Sequence, residues 1–381
     1  MKISCTQENL NRGLQISSHI ASKNINLPIL NNVLLKVDSG SISLLATNLE
    51  IGVKCLIRGK IEQEGSIALP AKLFTDYVGS LPQEKVDLDL QDQVVEVKCG
   101  SFETKLRGVL ATEFPLIPEV NDCLTYNVDV LKFRESVNQV IFAVSGNEIR
   151  PEIGGVFMKF NGQDKKITIA ATDSYRLAEK NLDFIEGSEE NRDVIVPAKT
   201  MQEILRILSV FKEGDSQEAS SSLKICLTEN QIMFSIDGVE LVSRVVEGQY
   251  PDYKQIIPSS WKTKISFNKN ELAKVIKTAS LFSKQGIYDI DFKFKPADNG
   301  RGDLILNSAN SQFGENTVNL GVESEGEENA IVLNYKYLLD GLNAIYSDDI
   351  VLELISGDNP CTLRPKKEIA DYLYIIMPIK R

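Results

Sequence analysis

Leu69-Pro70-Ala71-Lys72-Leu73-Phe74-Thr75-Asp76-Tyr77-Val78-Gly79-Ser80-Leu81 has two echoes further along the chain, beginning at Val196-Pro197-Ala198-Lys199 and at Leu333-Asn334-Tyr335-Lys336. In each copy an apolar strand end meets a proline or asparagine, and apolar residues then recur at the helical period. Leu73, Phe74, Tyr77, Val78 and Leu81 share one face in the first copy. Met201, Ile204, Leu205 and Leu208 do so in the second, and Leu338, Leu342 and Ile345 in the third. Such a stripe predicts a helix packed on one side. Proline suits a helix's first turn, where its missing N–H costs nothing.

Upstream of each copy lies a second helical pattern: Leu10 and Leu14; then Val130, Phe133, Val137, Val140, Ile141 and Val144; then Leu272, Val275, Ile276 and Ala279. Downstream, each copy ends with an aromatic or apolar residue before proline, at Phe114-Pro115, Tyr250-Pro251 and Met377-Pro378. Pro70 and Pro197 are 127 residues apart, Pro197 and Asn334 are 137 apart, and one third of 381 is 127. A fixed period of this kind marks an internal triplication. The surplus in the second copy coincides with a polar stretch from Glu213 to Ser222, expected to be a solvated loop.

Alternating segments at Val94 to Lys98, Lys166 to Ala171, Leu223 to Leu227, Ile232 to Ile236 and Ile350 to Ile355 predict strands. The fold class is therefore α+β, three repeats each with two helices backed by antiparallel sheet. Turn-rich polar stretches near Pro118 to Thr125 and Pro258 to Thr263 set the expected domains at 1–122, 123–258 and 259–381.

The composition, 43% apolar and 25% charged, is that of a soluble globular protein. No run approaches the roughly 18 apolar residues of a membrane helix. The N-terminus passes from Lys2 through Thr6, Gln7, Glu8 and Asn9 without a signal core, which predicts a cytoplasmic protein. Six cysteines, at 5, 55, 99, 123, 226 and 361, have no redox or zinc spacing and read as buried thiols. His19 is the only histidine; its solitude excludes multi-histidine metal sites and leaves little for neutral-pH acid–base machinery.

Phosphate loops, dinucleotide fingerprints and nucleophile elbows are absent from the sequence, and Arg301-Gly302-Asp303 reads as a turn. Acidic pairs such as Asp348 and Asp349 arise by chance among 53 acidic residues. No catalysis, cofactor or metal is expected.

Lys and Arg total 42 against 53 Asp and Glu, a net charge of −11 that disfavours simple electrostatic adhesion to nucleic acid or anionic lipid. The distribution is uneven. The six helical segments (8–23, 70–82, 129–145, 197–209, 269–284 and 334–345) carry a net +5, leaving −16 elsewhere. Lys72, Lys199 and Lys336 recur two residues after the cap, where a cation opposes the helix dipole by about 0.3–1 kcal/mol. A recurring cost suggests a use; the alternative is an indifferent surface lysine inherited by duplication.

Together with Leu27-Pro28-Ile29-Leu30, Ala171-Thr172-Asp173-Ser174-Tyr175-Arg176-Leu177, Tyr250-Pro251-Asp252-Tyr253 and the ending Ile375-Ile376-Met377-Pro378-Ile379, the triplicated layout resembles the bacterial sliding clamps, the beta subunit of DNA polymerase III, over the full chain. The resemblance implies a ring formed by a head-to-tail homodimer of three-domain subunits, with helices facing the hole and sheet outside. It implies a non-catalytic processivity factor that encircles duplex DNA in the nucleoid and tethers the replicative polymerase. Expected partners are the clamp loader, repair and translesion polymerases and mismatch-repair proteins, the proteins held through short peptide motifs. A ring held by topology needs only weak phosphate contacts, which meets the charge objection. The alternative is a peptide-binding scaffold of the same fold that does not encircle DNA.

By position, the resemblance makes Lys23, Lys72, Arg150, Lys199 and Lys336 DNA-facing. Pro151 and Glu152 stand where some relatives carry aromatics. It places a dimer edge at Thr104 and Leu106 against Leu281 and Phe282 of the partner, although the latter pair also reads as core. It places a partner-peptide groove at Ile153, Thr172, Ser174, Tyr175, Arg176, Leu177, Pro251, Ile256, Asn334, Tyr337, Ile376, Met377, Pro378 and Ile379. An apolar cleft with an adaptable methionine suits varied hydrophobic peptides; the alternative for Ile375 to Ile379 is a plain edge strand.

Overall fold

The computed structural model describes residues 1–21, 26–147, 149–211, 222–297, 300–367 and 371–380. Among them are six α-helices, α1 (Gln7–Ser17), α2 (Ala71–Ser80), α3 (Val130–Asn138), α4 (Ala198–Val210), α5 (Lys269–Ser280) and α6 (Tyr335–Ala344), two from each repeat. The starts of α1, α5 and α6 are set by side-chain capping. The Thr6 hydroxyl accepts from the Asn9 N–H. Asn268 accepts from Asn270 and Glu271, and Asn334 accepts from Lys336 at 2.9 Å. Each side chain satisfies donors that a first turn leaves unpaired. Pro70 and Pro197 stand one residue before the helical first turn expected of them: each closes a strand, Gly65–Pro70 and Arg192–Pro197, and the helix begins at the next alanine.

Three helices, α1, α3 and α5, end earlier than the expected segments 8–23, 129–145 and 269–284. The last carbonyls of α1, from Gln15 and Ile16, accept from the Arg206 guanidinium. Just beyond α3 the Gln139 carbonyl accepts from the Tyr372 hydroxyl at 3.0 Å, and the Gln139 side chain donates to the Ala344 carbonyl at 2.9 Å. The chain then continues as a short 3₁₀ turn, Ile141–Ala143. Leu281 caps α5 rather than extending it. In each of the first two cases a tertiary partner takes a carbonyl that further helix would have used.

Packing divides the chain into two units, Met1–Leu131 with Phe184–Ser188 and Lys199–Val245, and Lys132–Asp183 with Glu189–Ala198 and Val246–Arg381. The first holds a five-stranded antiparallel sheet, ordered Gly59–Gln63, Lys2–Thr6, Lys85–Gln91, Val94–Cys99 and Phe102–Arg107, and a ten-stranded sheet. The ten-stranded sheet crosses a repeat boundary because Ile51–Ile57 pairs antiparallel with Val239–Arg244, Val53 lying opposite Leu241. The second unit holds twelve strands in one sheet, continuous across the next boundary because Arg176–Asp183 pairs with Tyr372–Ile376, Leu177 lying opposite Ile375. Pairing satisfies backbone groups that an open edge leaves to solvent, so packing cuts through the second repeat.

The apolar helical faces supply the cores: Phe74 and Val78 from α2, Met201, Ile204, Ile207 and Leu208 from α4, and Leu338 and Leu342 from α6 are buried. Leu73, on the predicted face by period, is exposed instead. All five predicted strands form. Residues 213–221 of the expected polar loop lie outside the described residues, and Ser222 begins a strand.

Candidate functional site

Lys72, Lys199 and Lys336 are each the second residue of their helix, α2, α4 and α6, and each is exposed. Among the described residues no carboxylate lies within ion-pair distance of any of them. Lys336 is held by an aromatic: its ammonium sits 3.5 Å from the centre of the Tyr288 ring, a cation–π contact that keeps the charge while fixing the stem. Lys23 lies outside the described residues. Arg150 stands elsewhere, its Nε 2.9 Å from a Glu152 carboxylate oxygen and its Nη1 donating to the Ser174 hydroxyl at 3.2 Å. It is thereby brought together with the groove loop.

That loop is built twice in the chain with one internal geometry. In Thr172 to Arg176 the Thr172 hydroxyl donates to the Arg176 carbonyl at 2.6 Å and accepts from the Ser174 N–H, while Asp173 accepts from the N–H groups of Tyr175 and Arg176. In Thr47 to Ile51, Thr47 and Asn48 make the same bonds with Leu49, Glu50 and Ile51. The third residue has positive φ in both, 78° at Ser174 and 77° at Leu49, the left-handed region that side chains seldom adopt. The second copy differs by carrying Tyr175, 63% exposed, where the first carries Glu50.

All of the predicted groove residues lie in the second unit. Ile153, Leu177, Ile376 and the Thr172 side chain are buried; the first two join a cluster with Tyr250, Tyr253 and Ile375. They are core rather than surface. Of the others, Ser174, Tyr175 and Ile256 are exposed, and Arg176, Pro251, Asn334, Tyr337 and the segment Met377 to Ile379 are half-buried. Tyr175 and Tyr337 stack at 6.5 Å with 19° between planes. The Met377 N–H donates to the Tyr175 carbonyl, and the Ile379 N–H to the Val332 carbonyl, both at 2.9 Å. Met377 to Ile379 is therefore tied by its backbone to Tyr175 and Val332, past the end of the Tyr372–Ile376 strand.

Arg176 organises this corner. Its guanidinium meets Asp173 at 2.9 Å, Asp340, and the Phe142 carbonyl at 2.9 Å, and lies 4.6 Å from the centre of the Tyr337 ring. Burial works against its charge, but Tyr374, Asp340 and Asp173 more than offset that and raise its pKa. With its donors spent inside the protein, Arg176 positions Tyr337 and the loop. Asp340 and Phe142 were invisible in the sequence; their only signal is contact with a residue 164 and 34 positions away.

At the predicted dimer edge, Phe102–Arg107 pairs among the described residues on one side only, with Val94–Cys99. Leu106 is 5% exposed and belongs to its own core, Thr104 is half-buried, and Phe102, which no sequence pattern singles out, is 50% exposed. In the other unit Leu281 is 71% exposed and Phe282 half-buried. Leu281 is thus surface, against its alternative reading as core.

Among the described residues no group of three or more His, Cys, Asp or Glu could hold a metal ion, and no helix is long and apolar enough to cross a membrane. His19 contacts Glu203 at 2.7 Å, and Arg206 forks onto the same carboxylate.

Three helix-pair repeats joined by sheets that continue from one to the next define a clamp-type repeat protein. The sequence matches the family described as DNA polymerase III beta subunit in its N-terminal domain over residues 1–118, its central domain over 127–252 and its C-terminal domain over 254–380. The beta sliding clamp of Staphylococcus aureus is 31% identical, covering 93% of this chain and 92% of the relative. That of Synechococcus elongatus is 29% identical, covering 100% and 99%. Among solved structures, the DNA polymerase sliding clamp from Bacillus subtilis has a TM-score of 0.90 at 27% identity over 100% and 99% of the two chains. A Pseudomonas aeruginosa DNA polymerase III subunit beta has a TM-score of 0.91 at 25% identity over 100% of both. The chain belongs to the DNA polymerase III beta subunit family, the bacterial sliding clamps, and consists of three beta-clamp domains.

Proposed function

We propose that this chain is a DNA sliding clamp: two copies close head to tail into a ring that encircles duplex DNA and tethers the replicative polymerase for processive synthesis. The observation that carries the reading is strand pairing between repeats. Ile51–Ile57 takes Val239–Arg244 of the next repeat, and Arg176–Asp183 takes Tyr372–Ile376 of the next. The corresponding strand of the third repeat, Gly314–Gly326, pairs with Arg301–Asn310 and, through residues 323–326, with Thr263–Asn268. Its remaining edge is the equivalent of the edges paired at the two junctions, as is the open edge of Phe102–Arg107, and in this reading the two pair between copies. Pairing them repeats the same junction in trans, a heterologous contact that closes when the rotation permits. Phe102 and Leu281 add apolar area there.

Lys72, Lys199 and Lys336, with Lys23, then serve as weak phosphate contacts, enough for sliding and too few for arrest. Arg150 belongs to the rim of the groove, whose occupants are short hydrophobic peptides of the polymerase, the clamp loader, repair and translesion polymerases and mismatch-repair proteins. The protein acts without catalysis, soluble and associated with DNA, with repeats at 1–122, 123–258 and 259–381. After loading, the protein should stay on closed circular duplex and run off the same molecule once linearised. Equal loss from both would replace the ring with a peptide-binding scaffold.

A further inference from the structure

Five of the six cysteines are buried; Cys123 is half-buried. Cys123 follows Asp122, whose φ is 51°, and precedes the strand Leu124–Asp129, so no ladder bond holds it. Within that strand Thr125 lies opposite Cys226 of Ser222–Leu227. The Thr125 hydroxyl sits between the two thiols, 3.8 Å from the Cys123 Sγ and 3.7 Å from the Cys226 Sγ. Cys123 and Cys226 are thus diagonal neighbours on one sheet face, the first half-buried just before its strand and the second buried within the sheet. Cys5, Cys55, Cys99 and Cys361 make no comparable approach to a second thiol among the described residues.

We propose that Cys123 and Cys226 form a dithiol modification site that low-molecular-weight disulfides oxidise to an intrachain disulfide. The Cys123 thiolate attacks one sulfur of the small disulfide, forming a mixed disulfide and releasing one small thiolate, which takes up the proton Cys123 gave up. The Cys226 thiolate then attacks the Cys123 sulfur and expels the second small thiolate, likewise reprotonated. Two protein thiols are oxidised, and one small disulfide is reduced to two thiols. The product ties the downstream end of the connector to the sheet. Connector residues 114–121, with the strands beneath, line a cavity of about 610 Å³, so oxidation anchors one lip of that cavity.

Burial pushes the Cys226 thiol up to about 11, the neighbouring Cys123 adding to the shift and Thr125 and Lys224 opposing it. Closure requires the Cys226 thiolate, so its rate should rise with pH between 8 and 10 as the thiolate fraction grows. The test exposes the full chain to oxidised glutathione at pH 8.5, then counts free thiols after denaturation and maps disulfide-linked peptides. The expected result is a fall from six thiols to four, with Cys123 joined to Cys226. Cys226→Ser should stop at a glutathione adduct on Cys123, and Cys123→Ser should keep all five of its thiols. A stable glutathione adduct in the unaltered protein, a linkage through another cysteine, or a closure rate flat with pH would overturn the proposal.

Discussion

Replacing Arg176 by alanine removes a side chain 11% exposed that meets the Asp173 carboxylate, 16% exposed, and the Asp340 carboxylate, 45% exposed. Breaking a buried pair by deleting one partner costs about 3–5 kcal/mol. Asp173 keeps the N–H groups of Tyr175 and Arg176, which moves the loss to the low end. Asp340 is exposed enough to add only about 0–1 kcal/mol, and the orphaned Phe142 carbonyl about 1 kcal/mol or more. A loss of about 4 kcal/mol follows. At about 2–4 °C per kcal/mol for a unit of this size, that lowers the melting temperature of the second unit by about 8–16 °C.

Tyr337 also loses the cation against its ring, so a labelled apolar peptide should bind about tenfold more weakly, or about 1.4 kcal/mol. Calorimetry and fluorescence anisotropy read the two effects. Arg176→Lys, which keeps the charge without the fork, should recover part of the stability. A melting temperature within about 2 °C of the parent protein, with full peptide affinity, would refute the assignment of Arg176 as the corner's organiser.

Leu281→Ala with Phe282→Ala, or Phe102→Glu alone, should shift sedimentation from dimer to monomer; an unchanged dimer rejects that edge as the interface. Changing Lys72, Lys199 and Lys336 together to alanine should flatten the salt dependence of binding to a short duplex by about one unit of log–log slope for each phosphate no longer engaged. An unaltered slope removes them from the DNA path. Arg150→Ala should weaken peptide binding and leave that slope untouched, whereas the reverse pattern returns Arg150 to the DNA. Gly341→Ala sets a Cβ against the fully buried Tyr374 ring and should destabilise the second unit by about 1–3 kcal/mol in chemical denaturation; a neutral effect would mean that α6 shifts freely.

The triplication, the six helices and the five alternating strands were legible in the chain because periodicity is a local property. A helix must show an apolar residue every three or four positions to bury one face, and a strand every second position. The recurring lysines were legible for the same reason, as equal offsets from equal caps. The groove residues came from resemblance of motifs. Which of them are exposed and which are core could not be read, because Ile153 and Leu177 are as apolar as Ile256 and differ only in what covers them.

Sequence by itself thus determined the repeat, the element types and the presence of a single histidine. Tertiary structure alone decided where helices stop, that sheets run through repeat boundaries, that Arg150 faces Ser174, that Phe102 is exposed while Leu106 is buried, and that Cys123 lies near Cys226. Each of those depends on partners distant in the chain, such as Arg206 on the carbonyls of α1 or Asp340 on Arg176. Propensity and period carry no term for a group 164 residues away, whereas a folded chain must satisfy every buried donor and acceptor it creates.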